Sequence, residues 1–238
     1  MTYNVHSCIG WDGHLSTFRI ADVIAQYEPD IVALQEIDAG RARTGFIHQA
    51  EKIAEHLNMD FHFHPSIEIK EEQYGNAILS RYPLRLIQAG ALPTYKRWRT
   101  REQRGAIWAS IEFTGKEVHI INTHLGLHWR ERIAQAEALL SSEWASHTAC
   151  CSPLIICGDF NALPITSAYR RFRRKFKDAQ LSLDGTKPCK TYPSRYPIAR
   201  IDHIFTSQEI EIESVHVPNT GLARIASDHL PLIAEIKI

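Results

Sequence analysis

The chain has 238 residues, of which 44% are hydrophobic and 23% charged, and its 27 basic residues balance its 27 acidic ones. This is an ordinary globular composition, and the zero net charge excludes a general electrostatic attraction to nucleic acid or membranes. No apolar run approaches the ~18 residues of a membrane-spanning helix. At this length one domain can bury roughly 70–75% of the surface of its unfolded chain, so we expect a single domain over residues 1–238.

The amino terminus and the cysteines favour a cytoplasmic protein. Residues 1–6 have neither the basic start nor the apolar core of a signal peptide. The five cysteines are odd in number and show no metal-binding spacing, which is typical of a reducing compartment. The neighbours Cys150 and Cys151 are interpreted as inert rather than as a redox pair.

Hydrophobic periodicity predicts the elements of the first half of the chain. They are a short strand at 1–5, a helix from Ser16 to Pro29, a strand at 31–35, a helix around 50–57 and strands at 61–64, 75–80, 84–91, 105–113 and 118–123. The first helix carries Ile20, Val23, Ile24 and Tyr27 at the i, i+3, i+4, i+7 spacing of one buried face.

The second half begins with a predicted long helix at 130–147. A buried strand at 154–157, a basic helix at 167–177, an irregular segment at 191–200 and strands at 201–205, 210–217 and 232–238 follow. Strands outnumber helices and come in runs of two to four between them. This favours two packed sheets with helices outside over one doubly wound parallel sheet.

The most informative single stretch follows the apolar run 154–156. Gly158 ends this strand, and Asp159 and Asn161 come next, two residues apart, so their side chains lie on one side of an extended backbone. Carboxylate and amide oxygens at a strand end suit Mg²⁺ or Mn²⁺ better than zinc. The alternative is an Asx turn, in which both side chains bond only to nearby backbone.

Other polar side chains sit at or beside strand ends in the same way. They are Asn4, Glu36, Asn76, His124, Asp202, Asp228 and His229. A hydrophobic core requires the apolar runs but not the acids, amides and imidazoles that follow them. We therefore expect these groups to converge, with Asp159 and Asn161, on one rim of the two packed sheets.

Two histidines and two basic stretches have competing interpretations. His62 and His64 face the same way on a strand, but no third ligand is near, so exposed strand histidines are favoured over a metal pair. The basic segment 170–177 has a buried stripe of aromatic residues and is interpreted as a solvated helix face. The basic loop 96–104 shows no periodicity and is an open candidate for substrate contact, with Arg104 its best single residue.

Seven motifs, in order, resemble the endonuclease/exonuclease/phosphatase superfamily. They are Thr-Tyr-Asn-Val at 2–5, Leu-Gln-Glu-Ile at 34–37, Gly-Asn-Ala-Ile-Leu-Ser-Arg at 75–81, Asn-Thr-His-Leu at 122–125, Gly-Asp-Phe-Asn at 158–161, Arg-Ile-Asp-His-Ile at 200–204 and Ser-Asp-His-Leu-Pro at 227–231. The resemblance implies an α/β fold, a four-layer α/β/β/α sandwich of two mixed sheets flanked by helices. It also implies Mg²⁺- or Mn²⁺-dependent cleavage of a phosphate ester.

The resemblance also implies roles for the metal and the attacking water. Glu36 would be the main metal ligand with Asn4 beside it, and Asp228 would complete the metal side. Asp159 would orient or deprotonate the water. Asn161 would hold a phosphate oxygen or a metal-bound water.

The remaining implied roles concern charge on the phosphate. His229 would bond to the phosphate or act as a base, with Asp202 behind it fixing its tautomer. His124 would stabilise the developing charge, and Asn76 would support His124 or the phosphate. Whether His229 or Asp159 takes the proton of the water stays open at this level.

The substrate is the least determined feature. A neutral chain is a poor match for a nuclease that grips long DNA, so we expect a phosphodiesterase with a small or lipid-linked substrate, acting as a monomer without a stable protein partner. The alternatives are an endonuclease or exonuclease acting on DNA or RNA and a non-catalytic phosphate-binding scaffold. Nucleic acid and anionic lipid are both candidate partners for the basic stretches. Because none of the expected groups is missing, the scaffold is the least favoured.

Overall fold

The computed structural model describes residues 1–94, 102–150 and 153–238. Most of the basic loop 96–104, including Arg97, Trp98, Arg99 and Arg101, therefore lies outside the described residues, as does Cys151. Arg104 lies inside them. Among the described residues, no helix is long and apolar enough to span a membrane.

Two sheets form the centre of the molecule. The first contains β1 (Thr2–Asn4), β2 (Ile31–Ala39), β3 (Asp60–Ile69) and β4 (Glu72–Ser80) in the order β1-β2-β4-β3. The second contains β5 (Leu84–Ala91), β6 (Gly105–Phe113), β7 (Lys116–His124), β8 (Leu154–Asp159), β9 (Lys177–Asp178) and β10 (Asp202–Thr206) in the order β5-β6-β7-β8-β10-β9. A two-stranded antiparallel sheet of β11 (Glu211–His216) and β12 (Ile233–Lys237) adds to the core. Both large sheets are mixed, since β1–β2 and β7–β8 are parallel pairs.

Helices cover the outer face of each sheet. They are α1 (Thr17–Ala25), α2 (Gln49–Leu57), α3 (Trp129–Leu139), α4 (Ser167–Arg173) and α5 (Gly221–Ala226), with short 3₁₀ turns at His6–Cys8, Ala42–Thr44 and Ala179–Leu181. Apolar residues of α1, α2 and α5 share one buried cluster with the first sheet, and those of α3 and α4 share another with the second sheet. A third cluster lies between the sheets. The predicted four-layer sandwich is confirmed.

Alternate residues of one strand contribute to the two hydrophobic clusters on either side of the sheet. In β6, Ile107, Ala109 and Ile111 face the inter-sheet cluster, whereas Ala106 and Trp108 face the helices. Alternate residues of a strand point to opposite faces, and both faces are covered here. The buried strands therefore appear in the sequence as continuous apolar runs.

Three local predictions need correction. The helix predicted at 130–147 ends at Leu139, because Ser141 Oγ donates to the carbonyl of Ala138 and offers the backbone an alternative to the helical bond. The helix predicted at 167–177 ends at Arg173, since Lys177 and Asp178 pair with β10 as a strand. His62 and His64, expected to be exposed, are half-buried on β3.

Candidate active site

Strand ends place most of the predicted residues on one rim of the sandwich. β7 and β8 are parallel with His124 opposite Asp159, so both side chains appear where the strands finish together. β10 is antiparallel to β8 and begins there, with Asp202 opposite Asp159. In the first sheet Asn4 ends β1 opposite Gln35, the residue before Glu36.

These residues surround a cavity of about 490 Å³. Its walls include Glu36, Arg104, His124, Asp159, Asn161, Asp228 and His229. Three predicted site residues, Asn4, Asn76 and Asp202, are buried behind the wall. A second cavity of about 340 Å³, at the opposite end of the sandwich, is lined mainly by aliphatic side chains. The described residues hold a cluster of potential metal ligands only at the rim.

The buried carboxylate of Asp159 is the centre of the site. The amide Nδ2 of Asn4 donates to Asp159 Oδ2 at 3.0 Å and to Glu36 Oε1 at 2.9 Å, so one amide joins carboxylates from both sheets. The backbone N–H of Asn161 donates to Asp159 Oδ1 at 2.8 Å. The Asx turn considered as an alternative is thus present, and it leaves Oδ2 turned toward the cavity.

Local backbone geometry aims two of the side chains. The register of β2 against β4 shifts between Leu34 and Ile37, and within this bulge Glu36 has φ 61°. Asn161 has φ 48° just after β8. Non-glycine residues adopt this left-handed region at a cost in free energy, and bulges redirect side chains at sheet ends. Both residues face the cavity as a result.

His229 is fixed from behind by Asp202. Its Nδ1 donates to Asp202 Oδ2 at 2.9 Å, and Thr191 Oγ1 donates to the same oxygen. The other ring nitrogen, Nε2, lies 3.6 Å from Asp159 Oδ2. The imidazole therefore stands between two carboxylates and presents Nε2 to the cavity.

The two carboxylates set the charge of this imidazole. Burial lowers the pKa of His229, but the nearby carboxylates of Asp202 and Asp159 outweigh it and raise that pKa above its ordinary value. Burial in turn raises the pKa of Asp159, although the positive His229 lowers it. An imidazolium at His229 and a carboxylate at Asp159 thus stabilise each other.

His124 is held in the opposite protonation state. Its buried ring contacts Arg104 Nη1 through Nδ1 at 3.1 Å. Because a guanidinium only donates, Nδ1 must accept, and the single proton of the neutral ring lies on Nε2. Burial, Arg104 and His229 together hold the pKa of His124 well below its ordinary value. Nε2 lies 3.4 Å from Asp159 Oδ2, so His124 is a neutral donor aimed into the site.

The three asparagines of the site make hydrogen bonds to other groups of the protein. Asn4 bridges the two acids through Nδ2, and its Oδ1 accepts the backbone N–H of His6. Asn76 Nδ2 donates to the carbonyl of Gly105, beside Arg104, at 3.0 Å. Asn161 Nδ2 donates to the carbonyl of Leu125 at 3.0 Å. It also lies 3.0 Å from His124 Nε2, but with the ring proton on Nε2 both of these nitrogens are donors, so this contact is not a hydrogen bond.

The donor set fits a hard divalent cation. Glu36 and Asp159 are like-charged and share one amide, and burial raises the pKa of Asp159, so a cation beside them would relieve an unfavourable arrangement. Asp228 adds a further carboxylate to the wall. Oxygen-rich sets of this kind suit Mg²⁺ and Mn²⁺. Asp159, Asp202 and His229 also lie close enough to share an ion, although the last two already bond to each other.

Sequence reasoning missed several residues of the site. Thr191 bonds to Asp202, the ring of Tyr192 lies 4.8 Å from that of His229, and Arg43 and Tyr74 line the cavity. Ser227 Oγ donates to the carbonyl of Asn4 at 2.7 Å and accepts from the His229 backbone. Ser227 lies inside the motif at 227–231 and Tyr74 directly precedes the motif at 75–81, which was the available signal. Thr191 and Tyr192, in the segment predicted to be irregular, and Arg43 had none.

Comparison with known proteins identifies the family. The model of the Endonuclease/Exonuclease/phosphatase family matches residues 1–229. The chain belongs to this family, and the resemblance drawn from seven motifs is confirmed. Family members are phosphoric ester hydrolases that generally use divalent metals, and the chain is an enzyme of that class.

Individual relatives share the whole fold. The uncharacterized protein YbhP of Escherichia coli K12 is 28% identical over 257 residues, covering 100% of this chain and 95% of the relative. The mannosyl-6-phosphatase of Bacteroides thetaiotaomicron is 21% identical with a TM-score of 0.79, covering 100% of this chain and 98% of its own. The catalytic domain of human Nocturnin with bound sulfate is 23% identical with a TM-score of 0.71, covering 99% and 91%. At these identities the two structures show a common fold.

Proposed function

We propose that the chain is a phosphodiesterase dependent on Mg²⁺ or Mn²⁺, which hydrolyses a small or lipid-linked substrate by in-line attack of water. One observation carries the proposal. Asp159 Oδ2 lies within 3.6 Å of Nε2 of His229, within 3.4 Å of Nε2 of His124, and shares the Asn4 amide with Glu36. The proton acceptor Asp159 is thus surrounded, at one cavity, by a positive imidazole, a neutral imidazole and the carboxylate of Glu36, which suits a metal.

The protonation states of Asp159, His229 and His124 support a different role for each residue in the reaction. Asp159 is the acceptor that can orient a water and take its proton. The positive His229, held by Asp202, donates from Nε2 to a phosphoryl oxygen. The neutral His124 donates a second hydrogen bond from its own Nε2. Donors that are fixed before the reaction stabilise charge as it develops on the phosphate.

The metal would be held on the side of the first sheet. Glu36 is the proposed principal ligand and Asp228 a second one, while Asn4 keeps Glu36 and Asp159 in place. A bound Mg²⁺ or Mn²⁺ supplies neutralisation of the phosphoryl oxygens and favours in-line displacement. Asn161 and Arg104 remain the proposed contacts to phosphate oxygens, since both line the cavity.

The proposal is tested first by metal-dependent turnover. Wild-type protein is expected to hydrolyse bis-p-nitrophenyl phosphate with Mg²⁺ or Mn²⁺ and to stop in EDTA. Glu36→Gln should reduce turnover about 10³-fold, because the amide keeps the shape and loses the charge. Glu213→Gln, on the exposed face of β11, is the matched control. Turnover by Glu36→Gln in EDTA that equals turnover by the wild type with Mg²⁺ would contradict the proposal.

The substrate class needs a panel at low and moderate salt. Plasmid DNA, single-stranded RNA, phospholipid vesicles, and soluble inositol and sugar phosphates are compared by kcat/KM. We expect a lipid or small ester to be preferred. Efficient metal-dependent nicking of plasmid at moderate salt, without turnover of the other substrates, would favour the nuclease alternative instead.

A further inference from the structure

Among the described residues, the most exposed large apolar side chains lie in segments of the chain that also carry residues lining the active-site cavity. In the described part of the chain, five large apolar residues are more than 70% exposed. They are Phe46 at 71%, Leu127 at 74%, Ile165 at 73%, Tyr196 at 79% and Ile198 at 72%. We call these five residues the apolar collar. Single exposed apolar residues are ordinary, but a group of them around one functional opening is informative.

Each member of the apolar collar either lines the cavity or lies a few residues along the chain from a residue that does. Leu127 itself lines the cavity, and Phe46 follows Arg43, which also lines it. Ile165 lies four residues after Asn161. Tyr196 and Ile198 lie between two further lining residues, Tyr192 and Ile201. One collar residue therefore lines the opening, and the other four lie within five residues of a residue that does.

These loops are held in place by hydrogen bonds. The N–H of Phe46 donates to the carbonyl of Arg41 at 2.9 Å, and Arg132 donates to the carbonyl of Leu127. The N–H of Ile198 donates to the carbonyl of Tyr192 at 2.8 Å. Because the backbones are fixed, the apolar side chains remain directed outward and do not fold back into the core.

Two exposed tryptophans with arginine partners lie beside collar residues, Trp129 in the chain and Trp11 through its contacts with Ser194 and Arg195. Trp129 follows Leu127 by two residues and is 56% exposed, with the Arg130 guanidinium 5.0 Å from its ring centroid. Trp11 is 44% exposed, donates to Ser194 Oγ, and has the guanidinium of Arg195 at 5.2 Å. Tryptophan and arginine are the residues that settle at the boundary between lipid headgroups and acyl chains.

We propose that the apolar collar docks the active-site mouth onto a phospholipid bilayer, so that the substrate of this site is the phosphodiester of a lipid headgroup. The inference rests on the proposed function and narrows its substrate. Leu127, Ile165 and Ile198 are aliphatic and give nucleic-acid bases no ring to stack on, whereas acyl chains take them readily. The arginines beside Trp11 and Trp129 complement the phosphates of the headgroups. The zero net charge of the chain suits an apolar docking contact better than a polyanion.

The test separates docking from turnover. His229→Ala protein in EDTA, which leaves lipids intact, is floated with phosphatidylcholine vesicles, with and without phosphatidylglycerol. We expect it to float with both, more strongly with the anionic lipid. Ile165→Ser and Ile198→Ser combined in that background should lower the partition coefficient about 100-fold. Each change removes most of an aliphatic side chain that the docked protein would bury in the bilayer.

The matched control is Leu86→Ser combined with Leu181→Ser, which alters two apolar residues that are 42% and 46% exposed, on β5 and beside β9. It should float as well as its parent. In an otherwise wild-type chain the collar double variant should keep turnover of bis-p-nitrophenyl phosphate and lose turnover of vesicle lipid. Retention of soluble turnover also shows that the variant is folded.

Three outcomes would overturn the inference. The first is that the parent protein floats with neither kind of vesicle. The second is that the collar and control variants float equally. The third is that the wild type is a dimer, the collar variant is a monomer, and neither binds lipid. In each case turnover of the soluble ester with Mg²⁺ would still support the proposed function. Conversely, flotation without any turnover of the soluble ester would refute the proposed function and leave the docking surface intact.

Discussion

Nε2 of His229 lies 3.6 Å from Oδ2 of Asp159, while its Nδ1 donates to Asp202 at 2.9 Å. One imidazole is thus enclosed by two carboxylates, and burial strengthens their mutual attraction. The second imidazole, His124, also approaches Asp159 Oδ2, at 3.4 Å from its Nε2, but its Nδ1 contacts Arg104 instead of a second acid. The two histidines of the site therefore differ in charge, and variants of their partners should have different effects.

Removal of either imidazole should nearly abolish activity. His229→Ala and His124→Ala are each expected to reduce kcat about 10³-fold, because both rings donate to charge that develops in the transition state. His62→Ala, on β3 and away from the cavity, is the control and should retain wild-type kcat. Single-turnover rates on the soluble ester give the comparison. A loss of less than tenfold for both variants would remove the imidazoles from the proposed mechanism.

Asp202 should act through His229 alone. Asp202→Asn keeps the size of the side chain but removes the charge that raises the pKa of His229, so that pKa should fall in NMR titrations. A smaller loss of kcat than in His229→Ala is expected, since Asp202 orients a group and does not react. The double variant should be no worse than His229→Ala alone. Wild-type kcat in Asp202→Asn would show that the pairing has no catalytic role.

Arg104 should determine which nitrogen of His124 carries the proton. Arg104→Met removes the donor to Nδ1 and frees the ring to take the other tautomer, so kcat is expected to fall about tenfold to 100-fold with little change in fold. Arg85→Met, on exposed β5, is the matched control. An increase in KM at constant kcat would instead assign Arg104 to substrate binding only.

The buried His203 should make stability depend on pH. Burial lowers its pKa to about 4, and its Nε2 lies 2.8 Å from the carbonyl of Ala162. Its contribution to the free energy of unfolding is therefore complete above the unfolded pKa of about 6.5 and is lost as the pH falls toward 4. At about 1.4 kcal/mol for each pKa unit, this loss is about 3 kcal/mol.

The measurement is urea unfolding in EDTA at several pH values between 7 and 4. His203→Gln should be less stable than the wild type at pH 7 and should lose less stability on acidification. Parallel pH profiles for the two proteins would show that His203 does not titrate in this way.

The sequence located the rim of the site because strand ends are visible in it. An apolar run followed by an acid, amide or imidazole identifies the end of a buried strand, and the pairing of β7 with β8 then places His124 opposite Asp159. The strands that come in runs of two to four between helices likewise predict two packed sheets. Both features depend on local pattern, which a single sequence carries.

Long-range contacts and side-chain exposure were not visible in the sequence. The amide of Asn4 joins Glu36 to Asp159, and its bond to Asp159 spans 155 residues of chain. The hydrogen bond from Thr191 to Asp202 joins residues 11 apart in the chain. The end of α3 at Leu139 depends on a side-chain bond of Ser141 that competes with the helical bond. The apolar collar could not be distinguished from core residues, because exposure is decided by the loops of the finished fold.

The most direct test of the central claim is the charge at Asp159. Asp159→Asn keeps the size of the side chain and an oxygen that can accept from Asn4, but it cannot take a proton from water. With Mg²⁺ and bis-p-nitrophenyl phosphate, we expect its kcat/KM to be about 10³-fold below the wild type, while Asp60→Asn, on the exposed end of β3, matches the wild type. Wild-type turnover by Asp159→Asn, or wild-type protein that is fully active in EDTA, would contradict the account.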